Sequence, residues 1–211
     1  MRFLAVGVVF FACCVGVARA GDVHVTTLSP VEDVSLPFFC DWGYDWDERC
    51  YRDDSARLGL GGEPGKVWRS ALRFSLASIP AGAPVVTAEL SLWYDGTCVA
   101  GRKTFRGCDG RAFEVEAHRI LTEPWSSERE VEIDPFAYPA EIGPLAPPQW
   151  VTVDVTDLVA EWHAGGTSNS GLLVKLADDE EAYDLPGPAF PSSTFADGAV
   201  RPRLTVWWLS G

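Results

Sequence analysis

Residues 40–50 read CDWGYDWDERC, three aromatic rings and four carboxylates between two cysteines. Trp42, Tyr44 and Trp46 would offer flat apolar faces to the C–H faces of a sugar, and Asp45 and Asp47 beside them would accept from its hydroxyls. Tyr and Trp bring large contact area at small cost in side-chain entropy. A second chemistry is written in the same segment. Asp41, Asp45 and Asp47, with Asp53 and Asp54, present the hard oxygens that calcium takes, although their spacing matches no standard calcium loop. The plainer alternative is a loop whose rings fold back over a sheet and whose acids form an exposed turn. Metal ligands therefore stay unassigned, with calcium the cation to test. The acidic run Asp178–Glu181 reads as a solvated hairpin.

The chain has six cysteines, two of them in its apolar first twenty residues. Cys40, Cys50, Cys98 and Cys108 remain, an even number that implies two disulfides in an exported chain. Local pairing, Cys40–Cys50 and Cys98–Cys108, closes two loops of equal length between strands. Cross-pairing is the alternative if the two loops meet. Neither spacing is a close zinc knuckle, and no histidine sits nearby. His24, His118 and His163 are scattered, and no HExxH or G-x-S-x-G motif is present. Carboxylate pairs for glycoside hydrolysis need a defined separation in space, and thirty acids make almost any pair imaginable. The expectation is a protein that is not an enzyme.

Residues 1–20, MRFLAVGVVFFACCVGVARA, read as a secretory signal: basic Arg2, an apolar run, then Ala18-Arg19-Ala20 before the cut. The run is near the short end for a bilayer span, and no second span follows. Cys13 after Phe10-Phe11-Ala12 opens a lipid-anchored alternative, against which the two phenylalanines count. The expected location is outside the cell or at its surface. The whole chain carries a net charge of -13, with thirty acidic and seventeen basic residues. Arg2 and Arg19 leave with the signal, which makes the remainder more acidic still. Phosphate backbones are bound by Lys and Arg, so nucleic acid is excluded as a partner.

These residues must be positioned by strands. Alternation dominates the chain: Asp22 to Leu28, Ala56 to Leu60, and Trp68–Leu76 with Leu72 and Phe74 on one face and Arg69 and Arg73 on the other. Ile79-Pro80-Ala81-Gly82-Ala83-Pro84 is a turn. Val86, Ala88, Leu90 and Leu92 then line an inward face, with Glu89, Ser91 and Trp93 outward. Phe113 to Ala117, Glu128 to Ile133, Trp150 to Val155, Gly171 to Leu176 and Arg203 to Leu209 complete the strands. Five prolines between 134 and 149 predict an irregular crossover, and Asp178 to Pro191 predicts a loop. Val155, Leu158, Val159 and Trp162 fall at helical spacing, with Asp154 or Thr156 as cap and Gly165-Gly166 as stop. Nine or ten strands and one helix predict two packed antiparallel sheets in a single domain, 21–211. Arg73 faces away from Leu72 and Phe74 in a central strand, so it is either exposed or paired with an acid on the outer layer. Trp93 and Trp207 are out of phase with the core and would form an exposed stripe unless an element drapes over them, the arrangement expected here. Trp125 and Trp162 are expected in the packing.

Leu72 to Ala83 (LRFSLASIPAGA), Thr87 to Leu92, the LTEPW block at 121–125, Trp150 to Trp162, Gly171 to Lys175 and Arg201 to Val206 follow one another in an order that resembles the DNRLRE domain, carbohydrate-binding module family 96. Val131-Glu132-Ile133 departs from that family's Trp-bearing strand, and the 40–50 insertion is unusual for it. The resemblance implies an all-β, jelly-roll-like antiparallel β-sandwich. It also implies a secreted, non-catalytic carbohydrate-binding module that recognises an extracellular polysaccharide. The alternative is an extracellular structural or adhesion protein that binds other proteins. Sugar contact would fall on Trp42, Tyr44, Asp45, Trp46 and Asp47.

Overall fold

In a computed structural model of the protein, which describes residues 21–40, 56–63, 66–100, 103–106, 108–123, 125, 131–144, 148–181 and 186–210, the alternating segments form thirteen strands. Every pairing among them is antiparallel. The smaller sheet runs in the order β1 (Val23–Leu28), β13 (Arg203–Leu209), β5 (Val85–Tyr94), β10 (Gln149–Asp154). The larger runs β7 (Lys103–Arg106), β6 (Thr97–Ala100), β12 (Pro186–Pro191), β3 (Arg57–Glu63), β4 (Lys66–Phe74), β11 (Leu172–Leu176), β8 (Phe113–Arg119), β9 (Tyr138–Ile142), and β2 (Pro30–Cys40) pairs with β4. One eight-residue helix, α1 (Thr156–His163), and a single helical turn, α2 (Asp178–Glu181), complete the regular structure.

The two sheets face each other across one core. Leu72 and Phe74 from β4, Val115 from β8 and Leu172 and Val174 from β11 meet Leu90 and Leu92 from β5, Val153 from β10 and Leu204 and Val206 from β13. Leu72, Leu90, Leu172 and Leu204 are each 0 % exposed, and cutting any one to Ala would cost about 2–5 kcal/mol. The expected helix face is the observed one, since Val155, Leu158, Val159 and Trp162 all join this core. Its cap differs from expectation. Val155 takes the N-cap position without a side-chain bond to the helix, while Asp154 receives the Thr156 N–H and hydroxyl at 3.0 and 2.6 Å.

The expected turn at Ile79–Ala83, closed by Ala83 N–H on the Pro80 carbonyl at 3.0 Å, carries the chain from β4 in the larger sheet to β5 in the smaller one. Gly82 supplies the positive φ of 78° that this corner needs. Several expectations are corrected. Val86 lies 47 % exposed, and Tyr94 takes the fourth inward place on β5 instead. The proline-rich stretch contains β9, which tolerates Pro139 because it is the last strand of its sheet. β12 begins and ends on proline and breaks register between Pro186 and Ala189, the kind of bulge where a missing N–H costs little. Of the segment Glu128 to Ile133, Ile133 forms an isolated bridge with Ile120, and residues 126–130 lie outside the described residues.

β2 was absent from the strands read in the sequence, and it changes the outer face of the large sheet. Its Val34 and Leu36 join Ala71, Ile120, Trp125, Val131 and Leu173 in a second apolar cluster. The large sheet is therefore buried on both faces around β4 and β11, which is why all five residues of β11 are buried.

Candidate protein interface

The residues singled out for sugar contact, Trp42, Tyr44, Asp45, Trp46 and Asp47, lie outside the described residues, as do Asp41, Asp53, Asp54 and Cys50. Cys40 is the last residue of β2. Cys98 and Cys108 are joined, with Cα atoms 5.5 Å apart. The Tyr94 hydroxyl stands 3.2 Å from the Cys108 sulfur, so this bridge belongs to the buried end of β5. Among the described residues no group of three or more His, Cys, Asp or Glu side chains is placed to hold a metal ion.

Charged groups on the outer face of the large sheet are tied to one another. The acidic run expected as a solvated hairpin forms the single turn α2, in which Asp178 and Asp179 stay exposed and Glu181 is buried. Glu181 takes both prongs of Arg69, and Asp178 receives the Lys175 ammonium at 2.7 Å. Lys175 is 3 % exposed and also meets Glu116 at 2.9 Å. Burial pulls its ammonium down, but the bonds from Asp178 and Glu116 and the nearby carboxylates outweigh that and hold it above its ordinary value. His118 lies between the Asp134 carbonyl and Glu116, at 3.0 and 3.2 Å. Arg73 pairs with Glu32 and Glu123 and lies over the Trp125 ring at 5.4 Å. Trp125 is buried, and its indole N–H donates to the Ser170 carbonyl at 2.9 Å. These groups read as framework, because their partners are internal.

The smaller sheet is different. Its outer face carries Trp93 and Trp150 in register, edge to face with centroids 5.4 Å apart, and the Arg203 guanidinium lies 3.9 Å over the Trp150 ring. Further along, Trp207 stands in register between Val25 and Thr87. The draping element expected over Trp93 and Trp207 is not found among the described residues; both are half-buried by their own sheet neighbours. β1 forms an edge that no described strand pairs. Val23 and Val25 on it are 60 % and 57 % exposed. Its inward side is fixed: His24 stacks on Trp208 at 4.5 Å, and the Trp208 indole donates to Thr26 at 2.9 Å. Sequence alternation placed Trp93 and Trp207 outward, but Trp150 and Arg203 had no such signal, since their pairing depends on which strands lie side by side.

Tryptophan and arginine are the residues that protein interfaces concentrate, and here they stand on the face of a rigid sheet whose edge carries exposed valines. No curated protein matches the chain. The family model described as TGF-beta propeptide matches residues 52–185, more than half of the chain. This overturns the resemblance to the DNRLRE domain and with it the carbohydrate-binding reading. The blocks that suggested it are core and turn residues, which any antiparallel sandwich with these corners requires, and they carry no information about a ligand. The protein-binding alternative is the closer one. The chain belongs to the TGF-beta propeptide family, and with it is a secreted protein that is not an enzyme and whose partners are proteins.

Proposed function

We propose that this chain acts as a growth-factor prodomain that holds a TGF-beta-type growth factor on its four-stranded sheet. The observation that carries the reading is the edge and outer face of that sheet, which no described element covers, with Val23, Val25 and Trp207 side by side. An unpaired strand offers a row of backbone donors and acceptors, and such edges are usually blunted by Lys, Pro or a bulge. β1 reads VHVTTL, with none of these in it, and keeps an unbroken register with β13. The net charge of -13 favours a partner with a basic face, because opposite charge speeds encounter and suppresses wrong partners.

The test is binding of the mature protein to an immobilised TGF-beta-type growth factor, beside the Val25→Lys and Trp207→Ala variants. The reading expects saturable binding that weakens by about tenfold or more in each variant, as for a residue central to an interface. Binding unchanged in both variants would remove the sheet from the interface. A folded protein that does not bind would remove the growth factor.

A further inference from the structure

A cleft of about 190 Å³ opens at the edge of the main core, between α1 and the segment that leads into β9. Arg119, Asp134, Phe136, Tyr138, Leu158 and Glu161 line it. Arg119 comes from the end of β8, and its two terminal nitrogens are held by Asp134 and by Glu161, the latter at 3.2 Å. Asp134 also receives the Phe136 N–H at 3.0 Å, which fixes the short turn between them. Phe136 packs edge-on against Tyr138 with centroids 5.0 Å apart, yet it is 61 % exposed. One exposed ring is ordinary on a protein surface; what sets Phe136 apart is its place at the rim of this charged cleft.

The charges around the cleft do not balance. One guanidinium faces the carboxylates of Asp134 and Glu161, and Asp157 of α1 adds its charge at Tyr138. Glu161 keeps 46 % of its side chain in solvent. The surplus registers on Tyr138, whose phenol is held above its usual value by burial first, then by Asp157 and Asp134, with Arg119 opposing and Glu161 adding. A net-negative cleft with an exposed ring at its rim suits a long cation. Its stem would lie on Phe136, and its head would meet Glu161.

We infer that this cleft receives an arginine or lysine side chain of a protein partner, with Glu161 meeting the cationic head and Phe136 covering the stem. The inference rests on the reading that the partners are proteins, and it adds a second contact point to the one on the four-stranded sheet. Arginine is the better fit of the two, because a planar guanidinium stacks on a ring and is more weakly hydrated than an ammonium.

The test is a titration of the ¹⁵N-labelled mature protein with N-acetyl-arginine amide, with N-acetyl-norleucine amide as the uncharged control. The expected result is saturable shifts at the Phe136, Tyr138 and Glu161 amides with the arginine probe and none with the control. Glu161→Gln and Phe136→Ala change exposed groups and leave the fold intact; each should weaken the response by about threefold, the scale of one exposed charge or cation–π contact. No saturable shift, an equal response to norleucine amide, or a response unchanged in both variants would overturn the proposal. Val25→Lys separates the two readings, because it should leave this titration unaltered. Growth-factor binding that survives while the arginine titration fails would sink the cleft alone. A titration that holds while the growth factor does not bind would sink only the partner named above.

Discussion

Arg69 and Glu181 form a two-pronged buried ion pair, Nε to one carboxylate oxygen at 3.0 Å and Nη2 to the other at 2.7 Å, across 112 positions of sequence. The pair fastens α2 to the outer face of β4, with side chains 11 % and 7 % exposed. Removing the Arg69 guanidinium leaves the buried Glu181 carboxylate without the ion pair that holds it, which costs about 3–5 kcal/mol, whereas an apolar replacement of both is often near neutral. Arg69→Met should therefore lower the urea midpoint steeply, and Arg69→Met with Glu181→Leu should recover much of the loss. Equal losses in the single and double variants would show that the pair contributes little beyond packing.

Gly171 is set where a side chain cannot go. Its φ is 100°, and a Cβ there would lie 2.7 Å from the Leu72 carbonyl oxygen and 2.5 Å from the Trp125 ring. Gly165 also has a positive φ, 73°, but open space around it. Gly165→Ala should cost about 1 kcal/mol, the backbone strain alone. Gly171→Ala should cost more, roughly 2–4 kcal/mol, by adding the contact to that strain. Denaturant unfolding followed by tryptophan emission would measure both. Matching losses would mean that Trp125 moves aside freely.

Acid should weaken the fold through Asp95. Burial pushes its carboxyl up, but the bonds from Arg57 and Thr97 and the charge of Arg57 outweigh this and hold it below its ordinary 3.8. A carboxylate whose value is depressed by folding adds stability above its unfolded value and loses it as pH falls through the folded one. Asp134, held down by the Phe136 N–H and Arg119, and Asp178, held down by Lys175, act in the same direction. Glu180 is raised by its burial and works against them. Asp95→Asn should cost about 1 kcal/mol at neutral pH, and the gap to the parent should close below pH 3.8 in urea unfolding at stepped pH. A gap that stays constant into acid would place the effect in packing rather than charge.

The sequence by itself determined what is local. Period-two alternation in Trp68–Leu76 and Val85–Tyr94 settles strand and face, because neighbouring side chains on a strand must point opposite ways. Val155, Leu158, Val159 and Trp162 settle the helix and its buried stripe for the same reason at a period of 3.6. Only the tertiary structure decided which strands pair. β4 and β5, joined by a short corner, lie in opposite sheets, and β1 finds β13 from the far end of the chain. β2 and β12 carry prolines and weak alternation, so their pairing energy comes from neighbours distant in sequence. The same holds for the sites. Alternation turned Trp93 and Trp207 outward, but whether anything covers them depends on the path of every other segment. Arg119, Asp134 and Glu161 converge from three separate segments, and no spacing along the chain records a distance between elements that only packing brings together.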